Sequence, residues 1–169
     1  MDEEEFDRFY SASFPRLVGQ LYAMIGDRDE AQECVQEAFV RAWSHRRQLH
    51  RARAPEAWVR TTAYRLAVSR WRRTVRSRRE PDRAMQDPQQ PAEPGEDRVV
   101  LVEALRKLPE SQRQALVLYH VCDLPVREVA AEVGVPEGTI KARLARGRAA
   151  LLAVLGDEPT GLAEGAGHA

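Results

Sequence analysis

Two stretches of this chain combine residue types that suit a polyanion. In PEAWVRTTAYRLAVSRWRRTV, residues 55–75, Trp58, Thr61, Arg65, Ser69 and Arg72 stand at i, i+3, i+7, i+11 and i+14, with Arg73 beside them. That stripe interleaves an indole, hydroxyls and guanidinium groups. Arginine neutralises phosphate, and an aromatic ring stacks on an unpaired base with little regard to sequence, at ~1–3 kcal/mol per base. The second stretch is LPVREVAAEVGVPEGTIKARLARGRAALLAVL, residues 124–155. Here Val126, Val129, Ala130 and Val133 make a short amphipathic helix, Gly134 sits where a tight turn needs positive φ, and Pro136 opens a second, basic helix. Two short helices about a glycine-bearing turn are the pattern of a helix-turn-helix.

Angles around the second helix say what it offers. With Ile140 at zero and 100° per residue, Ala142, Ala145 and Ala149 point outward at about 140–200°, flanked by Arg146 and Thr139 at about 240–260°. Small outward residues let a helix sink into a major groove, where Arg146 can reach a guanine edge. Lys141 and Arg148 lie on one flank at about 80–100° and Arg143 on the other at about 300°, suited to the phosphates on either side.

Enzymatic chemistry is not indicated. His45, His50, His120 and His168 have no metal-ligand spacing, and neither a nucleophile–base pair nor a glycine-rich phosphate loop is found. Cys34 and Cys122 cannot build a disulfide framework or a four-ligand zinc site. No cofactor is implied.

The elements that must position these residues read as helical throughout, because period-two alternation over strand lengths is absent. Phe6, Phe9, Tyr10, Leu17, Leu21 and Met24 share one face of a first element that Pro15 should kink or split. Gly26 stops it, and Asp27 with Glu30 reads as a capping box opening the next helix. There Ala31, Cys34, Val35, Ala38, Phe39 and Ala42 form a buried stripe that places Cys34 in the core. The opposite face carries Glu33, Gln36, Glu37 and Val40. It reads either as a solvated acidic face or as a docking surface centred on Val40. In the helix of the first basic stretch, Val59, Ala63 and Leu66 face inward. An alternative there is a solvated arginine-rich helix with Trp58 and Trp71 in the core, a placement that suits Trp71. Further on, Leu101, Leu105 and Leu108 give a short helix ending at Pro109. Ser111 can cap the next, with Ala115, Leu118, Tyr119 and Cys122 on its apolar side.

The chain of 169 residues has equal numbers of acidic and basic residues, yet their distribution is uneven. Residues 46–79 hold twelve arginines and one acid, for a net +11, and residues 136–155 carry +3. The N-terminal 45 residues come to −6, and residues 80–98 to −4. Two basic patches separated by an acidic segment are the electrostatic footprint of a nucleic-acid binder. The N-terminus, MDEEEFDRF, is acidic and lacks the apolar core of a signal peptide, and no apolar run approaches a membrane span. A cytoplasmic protein without membrane insertion is expected.

The expected architecture is all-α: two small helical domains joined by a flexible linker. The first spans 3–79 and the second 98–155. The linker at 80–97 is marked by PDRAMQDPQQPAEPGED, with four prolines and no aromatic residue, and a disordered tail follows at 156–169. A linker of that length lets the domains dock at separated sites or fold around one partner.

At this point the motifs resemble a known family, the extracytoplasmic-function (ECF) sigma factors of bacterial RNA polymerase. DEAQECVQEAFVRAW at 29–43 is similar to the family's region 2.2, the polymerase-binding helix. PEAWVRTTAYRLAVSRWRR at 55–73 resembles regions 2.3–2.4, which melt and read the −10 element. LRKLPESQRQALVLYHVCDLPVREVAAEVGVPEGTIKARLARGRAALL at 105–152 resembles region 4, which reads the −35 element. The three motifs occur in order across nearly all of residues 5–155.

The resemblance implies core RNA polymerase and promoter DNA as partners, and an anti-sigma factor as regulator. It assigns polymerase binding to Asp29, Glu33, Gln36, Glu37 and Val40. It assigns the −10 element to Trp58, Thr61, Arg65, Ser69, Arg72 and Arg73, and the −35 element to Thr139, Lys141, Ala142, Arg143, Arg146 and Arg148. The chain departs from the family where an Asn and an Asp commonly stand, at Arg65 and Ser69, and so points to an actinobacterial subgroup rich in Arg and Trp here. No appended regulatory domain is expected. The rivals are a stand-alone helix-turn-helix regulator, which would dimerise on two half-sites, and an RNA-binding or anti-termination module built on the arginine-rich helix.

Overall fold

The computed structural model describes residues 1–51, 54–77 and 95–157, and every regular element among them is helical. In chain order these are α1 (Glu3–Ile25), α2 (Arg28–Ser44), the short α3 (Arg46–Arg51) and α4 (Pro55–Ser77), then α5 (Glu96–Arg106) and α6 (Glu110–Leu116). The last of these runs on as a π turn over Val117–Val121, and α7 (Val126–Val133) and α8 (Glu137–Asp157) complete the order. The interior of the expected linker and most of the expected tail lie outside the described residues. Both boundaries shift where they can be seen. Gly95 precedes α5, whose first turn takes up Glu96 and Asp97 from the segment read as linker, and α8 continues to Asp157.

Local chemistry explains the element ends. Asp2 and Glu5 form a reciprocal capping box on α1, with the Glu5 N–H donating to Asp2 Oδ1 at 2.8 Å and the Asp2 N–H to Glu5 Oε2 at 2.9 Å. Asp27 caps α2 by accepting the Glu30 N–H at 3.0 Å. Pro15 does not split α1, which is continuous through it. Proline removes the bond to the carbonyl four residues back, that of Ser11; both residues are exposed, so the lost bond is not a buried one. Ser111 does not cap α6; Pro109 occupies that position and Ser111 lies within the first turn. The π turn that follows is closed by the Cys122 N–H on the Val117 carbonyl at 2.9 Å.

Two cores form. Leu17, Leu21, Cys34, Val35, Ala38, Phe39, Leu49, Val59, Ala63 and Ala67 belong to the first, where α1, α2 and α4 meet. Burying each large aliphatic side chain is worth ~1.5–3 kcal/mol. Leu105, Leu108, Leu116, Leu118, Val129, Ile140 and Leu144 belong to the second. That second core also contains Ala23 and Met24 from the end of α1, while Ile25 and Tyr64 pack against both. The two halves of the chain are therefore packed on each other.

The helix-turn-helix is built as its sequence indicates. Gly134 adopts φ 81° at the end of α7, and the Pro136 carbonyl accepts from the Thr139 and Ile140 N–H groups as α8 begins. Gly147 matters differently. A Cβ there would stand 3.0 Å from Leu116 Cδ1, so its absence lets α8 lie closely on α6.

Candidate nucleic-acid and polymerase interfaces

Helix α4 turns Val59, Ala63 and Ala67 fully inward, with Leu66 only half-buried. Its opposite side presents Arg65, Arg72 and Arg73 to solvent, with Thr61 and Ser69 half-buried between them. Trp58 is half-buried, packing on the first core and on the His45 ring 5.5 Å away. The indole is held at the start of the stripe with part of its surface free. Trp71 is 63% exposed, against the placement in the core that its apolar character suggested. It lies beyond Ala67, the last residue of α4 buried in the first core, where the helix end runs past that core.

Helix α8 buries Ile140, Leu144 and Gly147 and exposes Ala142, Ala145, Ala149, Lys141 and Arg146. Thr139 and Arg143 are half-buried on one flank. Arg148 is exposed yet engaged: its guanidinium lies 5.5 Å from the Tyr119 ring centroid, and its Nε is 3.3 Å from His120 Nε2. That contact draws Arg148 back onto α6 and its π turn, away from the alanine face.

On α2 the outward residues Asp29, Glu33, Gln36 and Val40 are exposed and Glu37 is half-buried. Val40 is 60% exposed, and Trp43, three residues on, leaves part of its ring open beneath the Arg46 guanidinium, 4.2 Å from the ring centroid. Trp43 was missed among the candidate residues, although its i+3 spacing from Val40 was a usable signal. The acidic face is partly neutralised from within. Arg70 of α4 reaches Glu33 Oε2 at 3.1 Å and Glu30 Oε1 at 3.4 Å. Beneath it Cys34 is inert, because burial, reinforced by the Glu30 carboxylate, pushes its thiol up to about 12.

Sequence patterning also missed the residues between the two halves. Arg60 of α4 is buried, donating to both carboxylate oxygens of Glu132 on α7 at 2.6–3.2 Å and to Gln20 Oε1 at 3.0 Å. Burial opposes its charge, but the bond to Glu132 and that residue's charge prevail, so the Arg60 pKa lies above its ordinary value. Tyr64, one turn along, donates its hydroxyl to Glu110 Oε1 at 2.6 Å. Burial first, and then that bond, push the phenol pKa upward.

With two basic helical faces and one acidic, valine-centred face in place, comparison with known proteins becomes decisive. The family model described as Sigma-70 region 2 matches residues 9–77, and that of Sigma-70, region 4 matches residues 98–151. The chain belongs to the sigma factors. It directs core RNA polymerase to promoters and is not itself an enzyme.

Relatives place this sigma factor in the ECF group. It is 30% identical over 149 residues to the ECF RNA polymerase sigma factor RpoE of Cereibacter sphaeroides, covering 85% of this chain and 82% of that one. It is 27% identical to the ECF RNA polymerase sigma factor SigW of Bacillus subtilis, over 92% and 91% of the two chains. Among solved structures it resembles the sigma factor RpoE of Bartonella quintana, in complex with the anti-sigma factor NepR. The TM-score is 0.75 at 25% identity, over 92% of this chain and 99% of that chain. The fold is shared with CnrH at TM-score 0.65 and 19% identity, over 93% and 91% of the chains.

Proposed function

We propose that the three faces divide promoter recognition as follows. The stripe on α4, with Trp58, Thr61, Arg65, Ser69, Arg72 and Arg73, meets the −10 element, where guanidinium groups hold the backbone and the indole serves an unstacked base. The alanine face of α8 enters the −35 major groove. Arg146 and Thr139 address base edges, and Lys141, Ala142, Arg143 and Arg148 line the approach to base edges and phosphates. Asp29, Glu33, Gln36, Glu37 and Val40 on α2, joined by Trp43, dock on core polymerase.

The observation that carries this reading is that one chain bears two unlike basic helix faces. A dimeric regulator repeats one reading helix on a symmetric site, whereas two different readers suit an asymmetric promoter. The reading places the protein in the bacterial cytoplasm with the polymerase, and no helix among the described residues is long and apolar enough to cross a membrane. The Bartonella quintana relative is in complex with an anti-sigma factor, and an inhibitor of that class is the regulatory partner inferred for this chain.

Run-off transcription with core polymerase on a genomic library, followed by sequencing of the start sites, tests the assignment. Two conserved blocks upstream of the starts are expected. Arg65→Ala should change selection in the downstream block and Arg146→Ala in the upstream block. A single palindromic block, or failure of polymerase to co-purify, would overturn it.

A further inference from the structure

We infer that the Arg60–Glu132 ion pair is a latch holding this sigma factor in a closed state that must open before both promoter elements can be engaged. The side chains of Arg60 and Glu132 retain 4% and 9% exposure, and no other pair bridging the two halves is as enclosed among the described residues. Around the pair, Gln20 fixes the guanidinium from α1, Tyr64 reaches Glu110, and Met24 is buried in the core of the second half. The contact joins the helix assigned to the −10 element with the first helix of the helix-turn-helix.

Geometry makes this contact incompatible with full promoter binding. With Arg60 at zero, Tyr64 lies at about 40°, Thr61 and Arg72 at about 100–120° and Arg65 at about 140° around α4. The covered flank thus adjoins the DNA stripe. Thr61 and Arg65 line a cleft of about 210 Å³ together with Gln114, Glu132 and Val133 from the other half. A phosphate approaching them meets the Glu132 carboxylate. Separation matters as well. Even fifteen base pairs set two sites about 50 Å apart along B-DNA, while here α7 rests directly on α4.

A charged latch suits a contact that has to be released. A buried ion pair gains little over an apolar contact, because both ions surrender their hydration, and each recovers it when the halves part. The inference draws its consequence from the DNA assignment above, but the latch itself can be read without DNA.

The test uses the full chain with fluorophores on Gln48→Cys in the first half and Leu152→Cys in the second, both exposed positions, in a Cys122→Ser background. Single-molecule energy transfer should show one dominant high-transfer population for the parent. Glu132→Gln should raise the ratio of open to closed molecules at least tenfold. Tyr64→Phe should move it the same way by less, with native circular dichroism in each. Affinity for a single-stranded −10 oligonucleotide should rise with the open fraction of the Glu132→Gln protein. An open parent, or an unchanged distribution in both variants, overturns the latch. Opening without a gain in affinity overturns the occlusion. Absence of oligonucleotide binding by every protein counts against the stripe on α4, while the distance measurement still decides the latch.

Discussion

Removing the Arg146 side chain should separate the base reading proposed for α8 from its phosphate binding. Arg146 is exposed at the edge of the alanine face, and no ion pair among the described residues engages it. With no ion pair to give up among the described residues, a bidentate bond to guanine should deliver its full discrimination, ~1–3 kcal/mol. Arg146→Ala should therefore weaken binding to the preferred −35 duplex roughly 5- to 150-fold. It should leave duplexes altered at the contacted base pair nearly unchanged. Arg143, half-buried on the flank, should behave differently. Its loss should weaken all duplexes alike and reduce the slope of log K against log salt by about 0.9, one phosphate's share. Fluorescence anisotropy of the holoenzyme on a panel of −35 duplexes, titrated from 50 to 200 mM salt at roughly these steps, measures both quantities. Equal loss of discrimination from the two substitutions would refute the angular assignment of the reading face.

Glu37→Lys combined with Gln36→Ala should weaken capture of core polymerase while circular dichroism stays native, and unchanged pull-down would show the docking face lies elsewhere. Ile140→Ala, at a fully buried position of the second core, should lower stability by ~2–5 kcal/mol in urea denaturation and cost −35 binding in proportion. Because the native fold keeps the Cys34 proton up to about 12, the unfolded chain releases it first. Stability should then fall as pH rises from ~9 toward that value, by up to ~1.4 kcal/mol per unit. Cys34→Ala should flatten that part of the slope in urea midpoints taken across the alkaline range.

Periodicity made much of this architecture legible, and it did so best where one face is buried and the other wet. Ala31, Cys34, Val35, Ala38, Phe39 and Ala42 are the buried residues of α2, and Gly134 adopts the positive φ its position required. Pro15 shows the limit of a local rule. Proline breaks a helix when the orphaned carbonyl is buried, and whether it is buried depends on tertiary packing that a single segment does not contain. Trp71 shows the converse, since apolar character alone does not tell which helix end a core will cover. The contact between the halves was illegible for a different reason. Arg60 and Glu132 are 72 positions apart, and each reads in isolation as one more surface charge. Candidate residues on α4 and α8 could be chosen from helical angles because both helices are long and one-sided, whereas the internal commitments of Arg148 to Tyr119 and His120 required coordinates.

The π turn at Val117–Val121 bears on how this region can change length over generations. Winding five residues into a loop closed from i to i+5 absorbs one more residue than an α turn of similar rise. Losing a codon there would let the segment revert to regular α-helix and leave α6 and α7 near their present places. The same loss early in α8 would rotate every following side chain by about 100° and turn Arg146 off the face proposed for the groove. Tolerance to insertion and deletion in the second half is thus concentrated at this turn, well apart from the helix whose register the proposed −35 recognition depends on.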